Sequence, residues 1–84
     1  MDTRIKSIKE LLENKFAANY QGTIVQVGSG FADNIHVRII SPHFEGMPRS
    51  QRDDEIWSIL EELPEEDVLH ISLCILLSPS EVPP

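Results

Sequence analysis

One stretch of the chain, from Asn34 to Leu60, decides the fold: NIHVRIISPHFEGMPRSQRDDEIWSIL. Its apolar residues alternate at first, at Ile35, Val37 and Ile39. Alternation with a period of two is typical of a β-strand that has one face buried. The stretch therefore begins with a strand that turns these three side chains to one side.

A connection that contains proline and glycine follows this strand and leads into a helix. Pro42, Gly46 and Pro48 are predicted to prevent regular structure over several residues. Ser50 is predicted to cap the helix, with Asp53 as its weak capping-box partner. The stretch is thus a strand, a tight connection and a capped helix.

The predicted second helix is acidic at its start and apolar along one side. Asp53, Asp54 and Glu55 are expected in its first turn, where negative charge suits the helix dipole. Pro64 ends the helix. Its apolar stripe consists of Ile56, Trp57, Ile59, Leu60 and Leu63.

The N-terminal part of the sequence predicts another amphipathic helix. A cap on Asp2 or Thr3 begins it, and it is expected to end near Asn19. Its apolar face consists of Ile5, Ile8, Leu11, Leu12 and Phe16.

Two further strands are predicted on either side of this decisive stretch. The β-branched segment Thr23–Val27 precedes a flexible loop over Gly28–Asn34. The last strand is predicted over Val68–Leu77. One of its faces carries Leu69, Ile71, Leu73, Ile75 and Leu77, and the other carries His70, Ser72, Cys74 and Leu76.

Together these elements predict an α+β fold with the order α-β-β-α-β. The first two strands pair antiparallel, and the crossover through the second helix places the third strand parallel to the second. A two-layer sandwich results, in which both helices cover one face of a three-stranded mixed sheet and the other face is partly open. The domain is predicted over residues 1–78, with a frayed, Pro-rich tail over residues 79–84. The predicted core joins Leu12, Ile56, Trp57 and Leu60 to Val37, Ile39, Leu73 and Ile75.

Composition limits the function. A chain of 84 residues forms one small core and leaves no room for a deep cleft between domains. Its 14 acidic and 7 basic residues give a net charge of −7, which opposes binding to a phosphate backbone. The sequence shows no catalytic motif, and the carboxylates of EELPEED lie on a solvated turn. We therefore expect no enzymatic activity.

The single cysteine and the apolar runs bear on location. Cys74 stands alone, so an intramolecular disulfide is excluded, and a lone cysteine of this kind is predicted to pack rather than to react. The segment MDTRIKSIKELLENKF lacks the apolar core of a signal peptide, and no apolar run has the length of a membrane span. We expect a cytoplasmic protein that is a monomer or a weak homodimer.

At two places the chain resembles the BolA-like family. The first place is residues 38–57, RIISPHFEGMPRSQRDDEIW. This segment has the family's strand ending in Ser, its Phe-x-Gly turn, its basic residue and its aromatic residue on the helix. The second place is residues 70–81, HISLCILLSPSE, which has the family's closing strand followed by Ser-Pro-x-Glu. The element order matches along nearly the whole chain. The matching residues are Ser41, Phe44, Gly46, Arg52, Trp57, Ser78, Pro79 and Glu81.

The resemblance implies a fold similar to the class II KH domain and a partnership with monothiol glutaredoxins in iron–sulfur trafficking. In the family, a histidine at the start of the last strand helps to hold a [2Fe–2S] cluster shared with the glutaredoxin. An ungapped match puts His70 at that position, whereas a shift of one residue puts Leu69 there. The alternation of the strand favours the shift, because a one-residue slip turns every side chain over. Both alignments stay open.

The sequence departs from the family pattern at three points. The family's second ligand, His or Cys, comes from the loop between the first two strands, but Gly28–Asn34 contains neither. Asp53 stands where many members have a histidine, and Val82 stands in place of the usual aromatic after Pro-x-Glu.

Candidate site residues follow from this resemblance. His70 is the predicted cofactor and metal ligand, and it is expected to project beside the connection. The partner is predicted to contact Phe44, Gly46, Arg49 and Arg52 there. No cofactor is expected to bind tightly to this chain alone. His36 and His43 are predicted as surface residues, because they lack metal-ligand spacing.

Two classes of function remain. The first is a non-enzymatic BolA-like adaptor that binds a monothiol glutaredoxin through a shared [2Fe–2S] cluster, and a variant of it is an interaction module that has lost the cluster. The alternative is a nucleic-acid-binding transcriptional regulator that uses the KH-like fold. The net charge and the acidic helix start favour the adaptor, and binding to duplex DNA at physiological salt is expected to be weak or absent.

Overall fold

The computed structural model describes residues 3–83 and confirms the predicted order α-β-β-α-β. Its elements are α1 (Thr3–Lys15), β1 (Ile24–Ser29), β2 (Ile35–Ile40), α2 (Arg49–Leu60), the short α3 (Glu65–Val68) and β3 (Ile71–Leu77). Single turns of 3₁₀ helix lie at Ala17–Asn19, Pro42–Phe44 and Pro79–Glu81. Within the described residues, no helix has the length and apolar character needed to cross a membrane.

The predicted mixed sheet is also confirmed. Its strand order is β1-β2-β3, with β1 antiparallel and β3 parallel to the central strand β2. The helices cover one face, where the buried side chains of α1 and α2 meet those of β2. The other face carries no helix, so β2 residues such as His36 are exposed there.

The core lies between this sheet face and the helices. Five of the predicted core residues, Leu12, Ile56, Leu60, Val37 and Ile39, are buried in it, and Trp57 packs against it partly buried. The complete set of buried apolar residues is Ile8, Leu12, Phe16, Val25, Ile35, Val37, Ile39, Phe44, Ile56, Leu60 and Leu76.

The predicted facing of the last strand is confirmed at Ile71, which packs against the core, and is wrong from Leu73 onward. Ile35 pairs with Ile71 but His36 pairs with Leu73, so Ser72 is an extra residue that interrupts the ladder. An extra residue reverses the alternation that follows it. Consequently Leu76, which is 7% exposed, faces the core, and Leu73, which is 43% exposed, lies on the open face. The predicted core position of Ile75 is wrong for the same reason, since Ile75 pairs with Arg38 of the open face.

The last strand is also shorter than predicted. Val68, the first residue assigned to it, is the last residue of α3, and β3 begins only at Ile71. His70 and Leu69 therefore lie in the turn before the strand rather than within it.

The predicted start of the second helix is wrong as well. Pro48 occupies the cap position of α2, and no side chain caps this helix. Proline suits a helix start, because its fixed φ is helical and it has no N–H that needs a partner. The helix therefore begins at Arg49, before the predicted cap Ser50, and the carboxylates of residues 53–55 lie beyond its first turn.

Smaller differences concern the first helix and strand. Helix α1 ends at Lys15, where the side chain of Asn19 donates a 2.9 Å hydrogen bond to the Lys15 carbonyl. Asp2, one of its two predicted caps, lies outside the described residues. Strand β1 extends two residues further than predicted, to Ser29.

The C-terminal segment belongs to the domain at least as far as Glu81. Ser78 is buried, and its N–H and hydroxyl donate to Glu81 Oε1 at 2.8 and 3.0 Å. This capping box encloses the turn Pro79–Glu81, so the prediction of a frayed tail from residue 79 onward is wrong.

Candidate functional site

The candidate residues separate to opposite ends of the sheet. Ile35 at the start of β2 donates to the carbonyl of His70 at 2.8 Å, whereas Ser41 after its end donates to Leu77 at 2.9 Å. The six residues of β2 span about 20 Å. His70 therefore does not lie beside the connection, and that expectation is wrong. We call residues 30–34 with Leu69 and His70 the hairpin end, and residues 41–52 with 78–81 the connection end.

At the hairpin end, His70 forms part of a row of polar side chains. Its side chain is 38% exposed, and its Nε2 lies 3.5 Å from Asp33 Oδ2. The guanidinium of Arg4 donates to the two oxygens of Asp33 at 2.7 and 3.3 Å. The loop that was predicted to hold no ligand thus places a carboxylate beside the imidazole. Asp33 was not among the predicted site residues, because the family's ligand from this loop is a His or a Cys.

The β1–β2 turn at this end is tightly constrained. Gly30 donates to Asn34 O at 2.8 Å, and Asn34 donates to Phe31 O at 3.3 Å. Ala32 has a φ of +59°, which is unusual for a residue with a Cβ. The turn holds Phe31 with 90% of its surface exposed, a feature that sequence analysis also missed. The only signal was an aromatic residue among glycines and polar residues in GSGFADN.

At the connection end, the predicted partner-binding residues fall into two groups. Phe44 is fully buried and stacks on Phe16 at 5.3 Å between ring centroids. Gly46, with a φ of +72°, and Arg49 are exposed. A direct contact with a partner remains a prediction for Gly46 and Arg49, while the Phe44 side chain can act only by supporting the connection.

Arg52, the fourth of these residues, is 4% exposed and holds three segments together. Its Nε donates to Met47 O at 2.9 Å, and its Nη1 donates to Leu76 O at 3.0 Å and to Glu81 Oε1 at 2.6 Å. Its guanidinium also lies 5.6 Å from the centre of the Phe44 ring. The hydrogen bond from Arg52, followed by that from the Ser78 N–H, lowers the pKa of Glu81 to about 2. Arg52 is thus a structural cation rather than an exposed one.

His43 is half-buried at the same end instead of lying free on the surface. Its ring stacks on Tyr20 with centroids 3.9 Å apart, and its Nε2 lies 2.9 Å from Glu55 Oε2. The ring therefore joins the 3₁₀ turn after β2 to Tyr20, which follows the turn Ala17–Asn19, and to α2. This arrangement explains His43 as a structural residue.

Cys74 lies partly buried beside a groove. Cys74 packs against the core, and burial, with a smaller effect of Asp53, raises the pKa of its thiol to about 11. A groove of about 240 Å³ runs between the start of α2 and residues 73–77, with Arg49 and Asp53 on its helical side. Across residues 3–83, no three His, Cys, Asp or Glu side chains are grouped to hold a metal ion.

Comparison with solved structures finds this fold in two plant proteins. BolA1 from Arabidopsis thaliana superposes with a TM-score of 0.64 and 20% identity, over 99% of this chain and 100% of that one. The BolA domain of SufE1 from Arabidopsis thaliana gives 0.63 and 24%, over 98% and 99%. At these identities the likeness shows the fold, so this chain has the fold of BolA domains. No protein-family model and no curated protein matches the sequence.

Proposed function

We propose that this chain is a non-enzymatic, cytoplasmic BolA-like adaptor that binds a monothiol glutaredoxin and shares a [2Fe–2S] cluster with it through His70. The proposal rests on one observation above all. The chain matches BolA domains from end to end in fold, and it presents an accessible histidine directly before the last strand.

The residues of the hairpin end fit part of a shared ligand set. His70 offers an imidazole, a donor that also holds iron in Rieske-type centres. Asp33, whose two oxygens accept hydrogen bonds from Arg4, lies 3.5 Å from that ring. Because the described residues hold no group of three donors, the remaining ligands have to come from the partner. The cluster is then cargo held between two proteins, which agrees with an adaptor role.

The nucleic-acid alternative has less support. Arg52, one of the few basic residues near the connection, is buried, and its hydrogen bonds go to Met47, Leu76 and Glu81. Exposed Arg49 shares its groove with Asp53. With a net charge of −7, the chain lacks the clustered cations that phosphate contacts need.

The test is to load a mixture of this chain and a monothiol glutaredoxin with iron and sulfide under anaerobic conditions. Visible absorption and circular dichroism then report the cluster, and gel filtration reports the complex. We expect His70→Ala to abolish or alter the mixed-cluster spectrum while both proteins stay folded. His36→Ala is the matched control, since it removes an exposed histidine of the open sheet face. An unchanged spectrum with His70→Ala removes this ligand, and a wild-type chain that forms no complex contradicts the adaptor proposal.

A further inference from the structure

We propose that Phe31, Leu69 and Leu73 form a protein-docking surface around His70, and that its occupant presents an apolar hollow bordered by Lys and Arg. The inference rests on the proposed function, because it assigns this surface to the same partner. It goes beyond that function by naming the side chains that contribute the binding energy.

Exposure of large apolar side chains is concentrated at one end of the molecule. Four such side chains are exposed among the described residues: Ile24, Phe31, Leu69 and Leu73. Phe31 lies in the turn that carries Asp33, Leu69 adjoins His70, and Leu73 pairs with His36. Ile24 pairs with Ile40 toward the opposite end. Exposed apolar surface that is concentrated in one region marks interaction sites on soluble domains.

The backbone of the turn that carries Phe31 is held in place. Two backbone hydrogen bonds close it, and the ion pair of Asp33 with Arg4 ties it to α1. The positive φ of Ala32 is an unfavourable conformation for a residue other than glycine. A backbone that is already held in place loses less entropy on binding, which favours affinity. Aromatic residues presented in this way are typical centres of interface energy.

The charges around these side chains define the chemistry of the occupant. Helix α3, which leads directly to Leu69, carries Glu65, Glu66 and Asp67, whereas Asp33 on the other side of His70 is already paired with Arg4. An acidic border of this kind attracts a partner whose own border is basic. The apolar centre requires a hollow that can enclose a phenyl ring. A second copy of this acidic chain does not offer a basic border.

Titration calorimetry with cluster-free and cluster-loaded monothiol glutaredoxin tests the proposal. We expect Phe31→Ala to weaken binding about 10-fold or more, with a smaller effect of Leu69→Ala. Ile24→Ala is the matched control, because it removes a comparably exposed aliphatic side chain toward the other end. Each variant is first checked for an unchanged melting temperature.

Three outcomes separate this inference from the proposed function. If the wild-type chain binds and Phe31→Ala binds less tightly than Ile24→Ala, the docking surface is supported. If the wild-type chain binds and the two variants bind equally, the docking surface is wrong while the adaptor role stands. If the wild-type chain binds neither form of the glutaredoxin, both proposals fail. Raising the salt concentration should also weaken wild-type binding and should weaken binding of the Glu65→Gln, Glu66→Gln variant less.

Discussion

At the connection end, aromatic and polar side chains are buried against one another, whereas at the hairpin end large apolar side chains stand in solvent. Phe44, Arg52 and Ser78 belong to the first group, and Phe31 and Leu69 belong to the second. Most of the residues that carry the resemblance to BolA-like proteins lie at the connection end or in its network. The residues of the family resemblance therefore position α2 and hold the C-terminal segment against the domain. The docking surface that we propose lies at the hairpin end instead.

The largest expected effect compares the two phenylalanines. Phe44→Ala should lower the free energy of unfolding by about 3–5 kcal/mol, because it leaves a cavity in the core. Phe31→Ala should change it by less than about 0.5 kcal/mol, because that ring is already in solvent. Urea denaturation of both variants measures the difference. Similar losses at the two positions would remove the distinction between the ends.

A second prediction compares two arginines of α2. Arg52→Met should lower the free energy of unfolding by about 1–3 kcal/mol, because the buried Leu76 carbonyl loses its hydrogen-bond donor. The loss of the ion pair with Glu81 adds to this effect. Arg49→Met, at the exposed start of the same helix, should cost less than about 0.5 kcal/mol. Thermal and urea unfolding measure both. If Arg52→Met were as mild as the control, the network at the connection end would be structurally unimportant.

Acid unfolding tests the same network through Glu81. Because its pKa is lowered to about 2 in the folded chain, its ionised form adds stability above its usual pKa of 4.5, and this contribution is lost as the pH falls toward 2. The wild-type chain should therefore lose stability relative to Glu81→Gln between about pH 5 and pH 2. In an Arg52→Met background, the chain with Glu81 and the Glu81→Gln variant should lose stability more nearly in parallel. The reason is that the hydrogen bond from Arg52, the largest cause of the lowered pKa of Glu81, is gone. Parallel profiles in the wild-type background would contradict the ion pair.

The smallest effect is expected in the hairpin turn. Ala32→Gly relieves the positive φ but makes the unfolded chain more flexible, so stability should rise by no more than about 1 kcal/mol. Ala18→Gly, at an exposed position whose φ is not positive, should lower stability slightly. Urea midpoints of both variants give the comparison. A marked destabilisation by Ala32→Gly would show that the turn is not strained.

Local patterns predicted β2 and the helices well. Ile35, Val37 and Ile39 face the core as their alternation indicates, because a half-buried strand is encoded by neighbouring residues alone. The same reasoning failed for β3, where every second residue is apolar on one face and Cys74 and Leu76 stand on the other. The extra residue Ser72 then decided which face became buried, and pairing with β2 is a long-range property.

The candidate site was predicted only in part. His70 came from the family resemblance, and the structure leaves it accessible at the start of β3. Asp33 and Phe31 were visible in the loop sequence, but nothing local tells that a loop carboxylate will lie beside a histidine 37 positions further along the chain. Arg52 was predicted to contact a partner but is buried. Its burial is not indicated by the sequence, because a cation near a helix start is exposed in most proteins.

The sequence by itself determined the α-β-β-α-β order, the sheet topology and the amphipathic faces of α1, α2 and β2, since these depend on residue spacing and on the handedness of the crossover. Only the tertiary structure decided the facing of β3, the burial of Arg52 against Glu81 and the meeting of His70 with Asp33. Each of these depends on where distant segments come together, and burial and ion pairing are set by that packing rather than by the residues alongside in the chain.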